Sequence, residues 1–325
     1  MLQNQDHQQL ITDLKELVDK TKSQVAVQVN SAMVVLYWKI GQRINEDVLG
    51  NKRAEYGKEV ILQIAQHLTV EFGSSFSEKN IRKMMQFASV FNNFEIVASA
   101  MRQLSWTHFL LLIPISEDTK RNFYLEVCKI ENWSVRTLKE KINSLLFERT
   151  AISKKPEEII NKELKNWSEN NILNPDLVFK DPYFLDFLEL KDTFSEKDLE
   201  ESIIVELQKF ISELGSDFAF LSRQKRITID NRDYYIDLLF YHRKLKSLVV
   251  IELKLGEFEA GHKGQMELYL SYLNKYEKVE GENPPIGLIL CSGKNTEHIE
   301  LMNLEGDNIK NCRIFTYLTS GKNFA

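Results

Sequence analysis

The chain has 325 residues, of which 43% are hydrophobic and 27% are charged, and its formal net charge at pH 7 is −5. These fractions are typical of a soluble globular protein with room for two domains, and they exclude a chain that is mainly disordered. No apolar run is long enough to cross a membrane, and the N-terminus lacks the basic and apolar regions of a secretory signal. We therefore predict a cytoplasmic protein without a membrane partner.

The three cysteines, Cys128, Cys291 and Cys312, are far apart in the sequence and lie in apolar contexts. An odd number of widely separated cysteines fits neither a disulfide framework nor the short spacing of zinc ligands. We predict that they are reduced core residues, which is usual in the cytoplasm.

Residues 1–150 have helical periodicity and contain no β-rich run, so we predict an all-α domain. Gly41 is expected to break the first helix or to pack closely at its end. The helical segments are predicted at 9–47, 58–72, 77–91, 117–130 and 134–147, with a buried segment at 104–115.

The segment 58–91 resembles a helix-turn-helix reader of DNA. A helix is followed by a glycine turn and by a second helix, capped by Ser77, that presents Arg82 and Lys83 on its outer side. Arg136 and Lys139 form another basic face further along the chain. All four charges are equally compatible with the solvated surface of a helical bundle.

Charge is distributed unevenly along the chain. Residues 1–150 carry about +2, whereas the remainder carries about −7. If nucleic acid is gripped outside an active site, the N-terminal half is therefore the expected contact surface.

Residues 151–172 are polar, which predicts a linker to a second domain at 173–325. The pattern there predicts a mixed sheet covered by helices, which makes the whole chain α + α/β. The predicted helices are 174–190, 195–214, 260–276 and 295–303, and the predicted strands are 218–229, 234–241, 248–255, 285–291 and 312–318.

Two adjacent strands of this second domain carry acidic and basic residues within apolar sequence. Asp237 lies in the first strand, and Glu252 and Lys254 lie two residues apart in the next. Side chains two residues apart emerge on the same face of a strand, and a tight turn can bring Asp237 beside Glu252. Such groups are costly to bury without a function, although a half-buried salt bridge in an ordinary hairpin is the simpler alternative.

Neighbouring segments add further candidate residues. Glu206 lies beside the apolar stripe of helix 195–214, where it could supply a third carboxylate. Gln265 and Tyr269 are one turn apart on helix 260–276. The first strand also carries Arg223, Lys225 and Arg226. These residues could contact the scissile strand through its phosphates, or they could form a charged strand edge that resists aggregation.

These groups suit hydrolysis of a phosphodiester with the help of a metal. Asp237, Glu252 and Glu206 are the hard oxygen ligands that Mg²⁺ (or Mn²⁺) prefers. Lys254 can orient or help to deprotonate the attacking water and offset charge on the phosphorus centre. Gln265 can bond the water or a phosphate oxygen, and Tyr269 can position the strand, although helix–sheet packing explains both equally well.

In the order Asp237, Glu252-Leu253-Lys254 and Gln265-x-x-x-Tyr269, the chain resembles the PD-(D/E)XK nuclease superfamily and its RecB-like branch. The phrases ELGSDFAFLSRQKRI, YYIDLLFYHRKLKSLVVIELKLGEF and PPIGLILC resemble the YhcG-like (DUF1016) nucleases more closely. LYWKIG, AEYG, NIRKMMQF and LSWTHFLLL resemble the helical domain of the same family. The resemblance covers nearly the whole chain and implies a restriction-endonuclease-like domain that cleaves nucleic acid with a divalent metal. One departure is Ile236, which stands where the superfamily name has a proline.

The leading interpretation is a metal-dependent nuclease that hydrolyses DNA by a metal-activated water. The alternatives are a protein that keeps the nuclease fold but binds nucleic acid without cutting it, and a nuclease acting on RNA or branched DNA. The sequence leaves open whether cleavage is endo or exo, and whether two chains pair as a homodimer to cut both strands.

Overall fold

The computed structural model describes residues 2–50, 54–190, 194–293 and 308–315. The chain divides into two compact units between Ser144 and Leu145. The first unit is helical and the second contains a mixed sheet, which confirms the predicted fold class. Across the described ranges, no helix combines the length and the apolarity needed to cross a membrane.

The N-terminal unit is a set of packed helices, and its described residues include no strand. Ser134 caps the last helix by accepting a hydrogen bond from the backbone N–H of Thr137. The helices are α1 (Leu2–Gly50), α2 (Ala54–Phe72), α3 (Glu78–Val90), α4 (Phe94–Ala100), α5 (Trp106–Leu112), α6 (Asp118–Glu131) and α7 (Val135–Asn143).

Gly41 lies inside α1 and does not end it, so that part of the prediction was wrong. A Cβ atom at this position would lie 1.9 Å from the carbonyl oxygen of Met84 on α3. Glycine therefore allows the backbones of α1 and α3 to touch, in line with the predicted close packing at Gly41.

The segment predicted as a linker contains an ordered helix. After α8 (Leu146–Arg149), α9 (Glu157–Asn170) buries Ile160, Leu164 and Trp167, and it belongs to the C-terminal unit. These three residues form a narrow apolar stripe that packs into the unit, although the helix is polar in overall composition. The stretch 174–190 was predicted as a helix, and this prediction was wrong. It contains two 3-10 turns and a short strand, β1 (Tyr183–Phe184).

The six described strands form one sheet with the order β1-β6-β5-β4-β3-β2. β2, β3 and β4 pair antiparallel, whereas β4, β5 and β6 pair parallel, as does β1 with β6. The remaining bounds are β2 (Phe218–Ile229), β3 (Arg232–His242), β4 (Ser247–Lys254), β5 (Ile286–Cys291) and β6 (Ile309–Phe315). The helix predicted at 295–303 lies outside the described residues, and β6 begins earlier than predicted.

Helices cover both faces of the sheet. α10 (Glu196–Val205) and α11 (Leu207–Leu214) share one apolar cluster with the sheet, and α12 (Ala260–Tyr276) shares the other. The single helix predicted at 195–214 is therefore two helices, because the backbone at Glu206 (φ −100°, ψ 30°) leaves the helical conformation. Ser195 caps α10 as predicted, and Gly215 ends α11 with φ 135°.

All three cysteines are buried and none forms a disulfide, in agreement with the sequence analysis. Burial raises the pKa of the Cys128 and Cys291 thiols to about 12, so both are protonated at neutral pH. They act as small apolar side chains of the core.

Candidate active site

The candidate site lies where β3 and β4 stop pairing. Their ladder ends at the pair Leu238–Ile251. Beyond it, the backbone N–H of Asp237 donates to Oε1 of Glu252 at 3.2 Å, and the backbone N–H of Leu253 donates to Oδ2 of Asp237 at 2.9 Å. The structure thus brings Asp237 and Glu252 together in a fork between neighbouring strands.

Both carboxylates in this fork have raised pKa values. Glu252 is 3% exposed, and burial together with the negative charge of Asp237 raises its pKa to about 7. Burial likewise raises the pKa of Asp237, and its hydrogen bond from Leu253 only partly opposes this shift. A positive charge close to these two side chains would therefore stabilise their ionised forms.

Lys254 supplies one positive charge at the same end of β4. Its Nζ lies 3.3 Å from Oε2 of Glu252 and 3.9 Å from Oε2 of Glu196. Burial alone would lower the pKa of Lys254, but the negative charges of Glu252, Asp237 and Glu196 outweigh it and raise the pKa. The ammonium group therefore stays charged beside the carboxylates.

The helix that packs on this end of the sheet contributes Glu200 and not Glu206. Glu200 is 6% exposed and accepts hydrogen bonds from Gln224 and Arg223, whereas Glu206 forms an ion pair with Lys209 at 2.9 Å. The break at Glu206 removes that residue from the face that α10 turns to the sheet. Spacing offered a signal that was missed, because Glu196, Glu200 and the core residue Ile203 recur at i, i+4 and i+7.

Gln224 is a second site residue that sequence reasoning missed. Its Nε2 donates to Oε2 of Glu200 at 2.6 Å and to Oδ1 of Asp237 at 3.0 Å. Gln224 also has a left-handed backbone, with φ 47°, inside β2. A glutamine within a strand carries no sequence signal for such a role.

The Gln265–Tyr269 pair lies next to the carboxylates. Gln265 Nε2 donates to the hydroxyl of Tyr269 at 2.6 Å, and this hydroxyl donates to the carbonyl of Tyr235 at 3.0 Å. Burial raises the pKa of Tyr269, and the negative charges of Glu252 and Asp237 add to the shift. The second of these bonds joins α12 to β3, and the first lies within α12, so helix–sheet packing accounts for the contacts of this pair.

The predicted nucleic-acid contacts are all basic residues on accessible faces, and most engage a nearby polar group. Those of β2 pair with acids: Arg223 with Glu200, Lys225 with Glu277 at 3.1 Å, and Arg226 with Asp233 at 2.9 Å. In the N-terminal unit, Arg82 pairs with Glu78 at 2.8 Å and Arg136 with Glu140 at 2.9 Å; Lys83 lies 3.4 Å from Gln86, and Lys139 is exposed.

The carboxylate pair fits a divalent cation. Burial raises both pKa values, and a nearby negative charge adds to each shift, that of Asp237 for Glu252 and that of Glu200 for Asp237. A cation would relieve both effects, and carboxylate oxygens are the ligands that Mg²⁺ and Mn²⁺ prefer. Among the described residues, no group of three or more His, Cys, Asp or Glu side chains is arranged to hold a metal ion. The fit is therefore to a cation held by two carboxylates, with water and phosphate completing its shell, as is usual for Mg²⁺.

The fold and this fork of acids define a nuclease domain of the PD-(D/E)XK type. Residues 176–322 match the family model of the YhcG PDDEXK nuclease domain, and residues 13–149 match that of the DUF1016 N-terminal domain. The chain is 34% identical over 318 residues to "Putative nuclease YhcG" of Escherichia coli (strain K12), with 89% of this chain and 84% of that protein covered. The chain belongs to the YhcG family.

One solved structure also matches in part, the crystal structure of a repair endonuclease from Pyrococcus abyssi. The match covers 39% of this chain and 50% of that chain, with 16% sequence identity and a TM-score of 0.29.

Proposed function

We propose that this protein is a metal-dependent nuclease that hydrolyses phosphodiester bonds of DNA. The observation that carries the proposal is the placement of Asp237, Glu252 and Lys254 around one fork in the sheet. A buried acid, a half-buried acid and an ammonium group in contact are expensive for the fold, and such groups cluster at functional sites.

Asp237 and Glu252 would hold the divalent cation, Mg²⁺ or Mn²⁺. A bound cation of this kind supplies a more acidic water and stabilises negative charge on a phosphate oxygen. The protein's part is to fix the two acids before the cation arrives. Asp237 is held by the Leu253 backbone, and Glu252 is held by the Asp237 backbone.

Lys254 would act on the substrate side of the same site. Its ammonium group is charged and sits beside Glu252, where it can orient the attacking water and offset the charge that develops on the phosphate. Gln265 and Tyr269 would keep α12 against β3 beside the scissile bond.

The basic residues would contact the DNA backbone. Arg223, Lys225 and Arg226 lie on β2, next to the strand that carries Asp237, and are proposed to contact the scissile strand. The exposed basic faces of α3 and α7 are proposed as a second contact surface.

A cleavage assay tests this proposal. Linear, nicked, branched and single-stranded DNA and RNA would each be incubated with the wild-type chain in Mg²⁺, in Mn²⁺ and in EDTA. Asp237→Asn and Lys254→Met would be compared with Asp176→Asn and Lys310→Met, which alter another half-buried acid–lysine pair, 2.8 Å apart, outside the site.

We expect DNA cleavage that requires the cation and falls by about 10²-fold or more in the two site variants but not in the controls. Cleavage in EDTA, or equal cleavage by Asp237→Asn, would refute the proposed mechanism. If only RNA is cleaved, the substrate is RNA. If substrates are bound but none is cleaved, the protein keeps the nuclease fold but acts as a nucleic-acid-binding protein.

A further inference from the structure

Gln224 bridges two acids that belong to different elements of the fold. Its single amide nitrogen donates to Glu200 of α10 and to Asp237 of β3. We propose that Gln224 is a positioning residue that sets the spacing between Glu200 and Asp237 and thereby shapes the cation site. The inference rests on the proposed function, because it assumes that Asp237 helps to hold a cation.

The chemistry of a carboxamide suits this position. The –NH₂ group has two N–H donors, which is enough to serve one oxygen from each carboxylate. The amide is neutral, so it orders the acids without cancelling the negative charge that a cation needs. A lysine or arginine would hold the same oxygens but would compete with the cation for them.

Two donors of β2 bind Glu200 at the site. The glutamate is 6% exposed, and it accepts hydrogen bonds from Gln224 and Arg223, both on β2. Both donors are exposed, and Arg223 also lies 3.8 Å from Glu201. Of these two donors, it is Gln224 that also bonds to Asp237.

The backbone of Gln224 indicates that its placement opposes local preference. Its φ of 47° is a left-handed conformation, which costs free energy for any residue with a Cβ atom. The residue lies within β2, between the pairs Arg223–Leu238 and Lys225–Ile236, and not in a turn. The register of β2 also shifts between Phe220 and Ser222, so this part of the strand is irregular. Bulges and backbone strain of this kind are common next to functional sites, and two acids of the candidate site lie beside Gln224.

The strain at Gln224 makes it possible to distinguish a positioning role from a structural role by mutation. Glycine tolerates the left-handed conformation, so Gln224→Gly removes the strain together with the bridge. We therefore expect two opposite effects: an unfolding temperature in EDTA that is unchanged or higher, and a dissociation constant for Mn²⁺ that rises about tenfold or more. Gln224→Asn adopts the same backbone but is one methylene shorter, so it should reach one acid and give a smaller loss.

The experiment measures Mn²⁺ binding by electron paramagnetic resonance and thermal unfolding of the full-length chain. Lys246→Gly is the matched control, because Lys246 has a similar left-handed backbone (φ 49°) in the turn between β3 and β4. It should gain stability without any change in Mn²⁺ affinity.

The outcomes distinguish this inference from the proposed function. Tight Mn²⁺ binding by the wild-type chain, with the same affinity in Gln224→Gly, would overturn the positioning role alone. Absence of Mn²⁺ binding by the wild-type chain would overturn the proposed function and this inference with it. A loss of affinity in Gln224→Gly but not in Lys246→Gly supports both.

Discussion

The backbone N–H of Leu253 bonds to Oδ2 of Asp237 over 2.9 Å, at the point where the β3–β4 ladder has ended. The carboxylate accepts the bond that a strand carbonyl would accept in a continued ladder. Gln224 holds the second oxygen, Oδ1. Asp237 is therefore oriented by the protein itself, which is the arrangement that cation sites require.

The first prediction separates two glutamates of the same region. Glu200→Gln should lower cation-dependent cleavage by about tenfold or more, because its carboxylate lies in the hydrogen-bonded cluster with Asp237. Glu206→Gln should leave cleavage unchanged, since Glu206 pairs with Lys209. Single-turnover assays of both variants check this. If both variants lose the same fraction of the cleavage rate, the loss comes from removing a negative charge and not from the place of Glu200 beside Asp237.

The second prediction concerns pH and the stability of the metal-free chain. The pKa of Glu252 is about 7 in the folded protein, against an ordinary value of 4.5, so between these values the folded state binds more protons than the unfolded state. The free energy of unfolding should therefore fall as pH rises from about 4.5 to about 7, by an amount on the order of a few kcal/mol.

Glu252→Gln removes this titration and should flatten that part of the pH profile. Urea unfolding of both chains in EDTA, from about pH 4 to about pH 8, measures the difference. Parallel profiles for the wild-type chain and the variant would contradict the assignment of a raised pKa to Glu252.

The third prediction tests the close packing of α1 on α3. Gly41→Ala places a methyl group against the Met84 carbonyl and should lower the free energy of unfolding by about 1–3 kcal/mol or more. Gly264→Ala, in α12, meets no atom within 4 Å and should raise it by up to about 1 kcal/mol. Denaturant unfolding compares them, and a neutral Gly41→Ala would disprove the close approach.

The fourth prediction concerns the basic faces of the N-terminal unit. Combining Lys83→Glu with Lys139→Glu should weaken DNA binding and make the binding constant less dependent on salt, by a slope of about 1 for each phosphate that is no longer neutralised. The cleavage rate at saturating DNA should not change. Lys165→Glu, an exposed lysine on α9, serves as the control. If the wild-type chain, the double variant and Lys165→Glu bind DNA with the same affinity, Lys83 and Lys139 do not contact DNA.

The sequence was most informative about the elements whose periodicity is strong. β2 was predicted with the bounds it has, and α12 likewise. Asp237, Glu252 and Lys254 could be singled out because charged residues inside apolar strands are rare.

The remaining features depend on tertiary structure. At Glu206 the backbone leaves the helical conformation although the helical pattern of the sequence continues through it, and the helices on both sides pack on the sheet. Helix α9 has a composition typical of a linker, but its buried residues Ile160, Leu164 and Trp167 show that it packs within the second unit. Gln224 is a polar strand residue whose role arises from its neighbours in space.

The proposed cation site can be tested by crystallising the protein with Mn²⁺ and locating the metal from its anomalous scattering. We expect an anomalous peak in the fork between β3 and β4, within about 2.0–2.3 Å of oxygens from both Asp237 and Glu252. A peak elsewhere on the chain, or none in the fork of a protein that cleaves DNA in Mn²⁺, would contradict the role of these two acids as cation ligands.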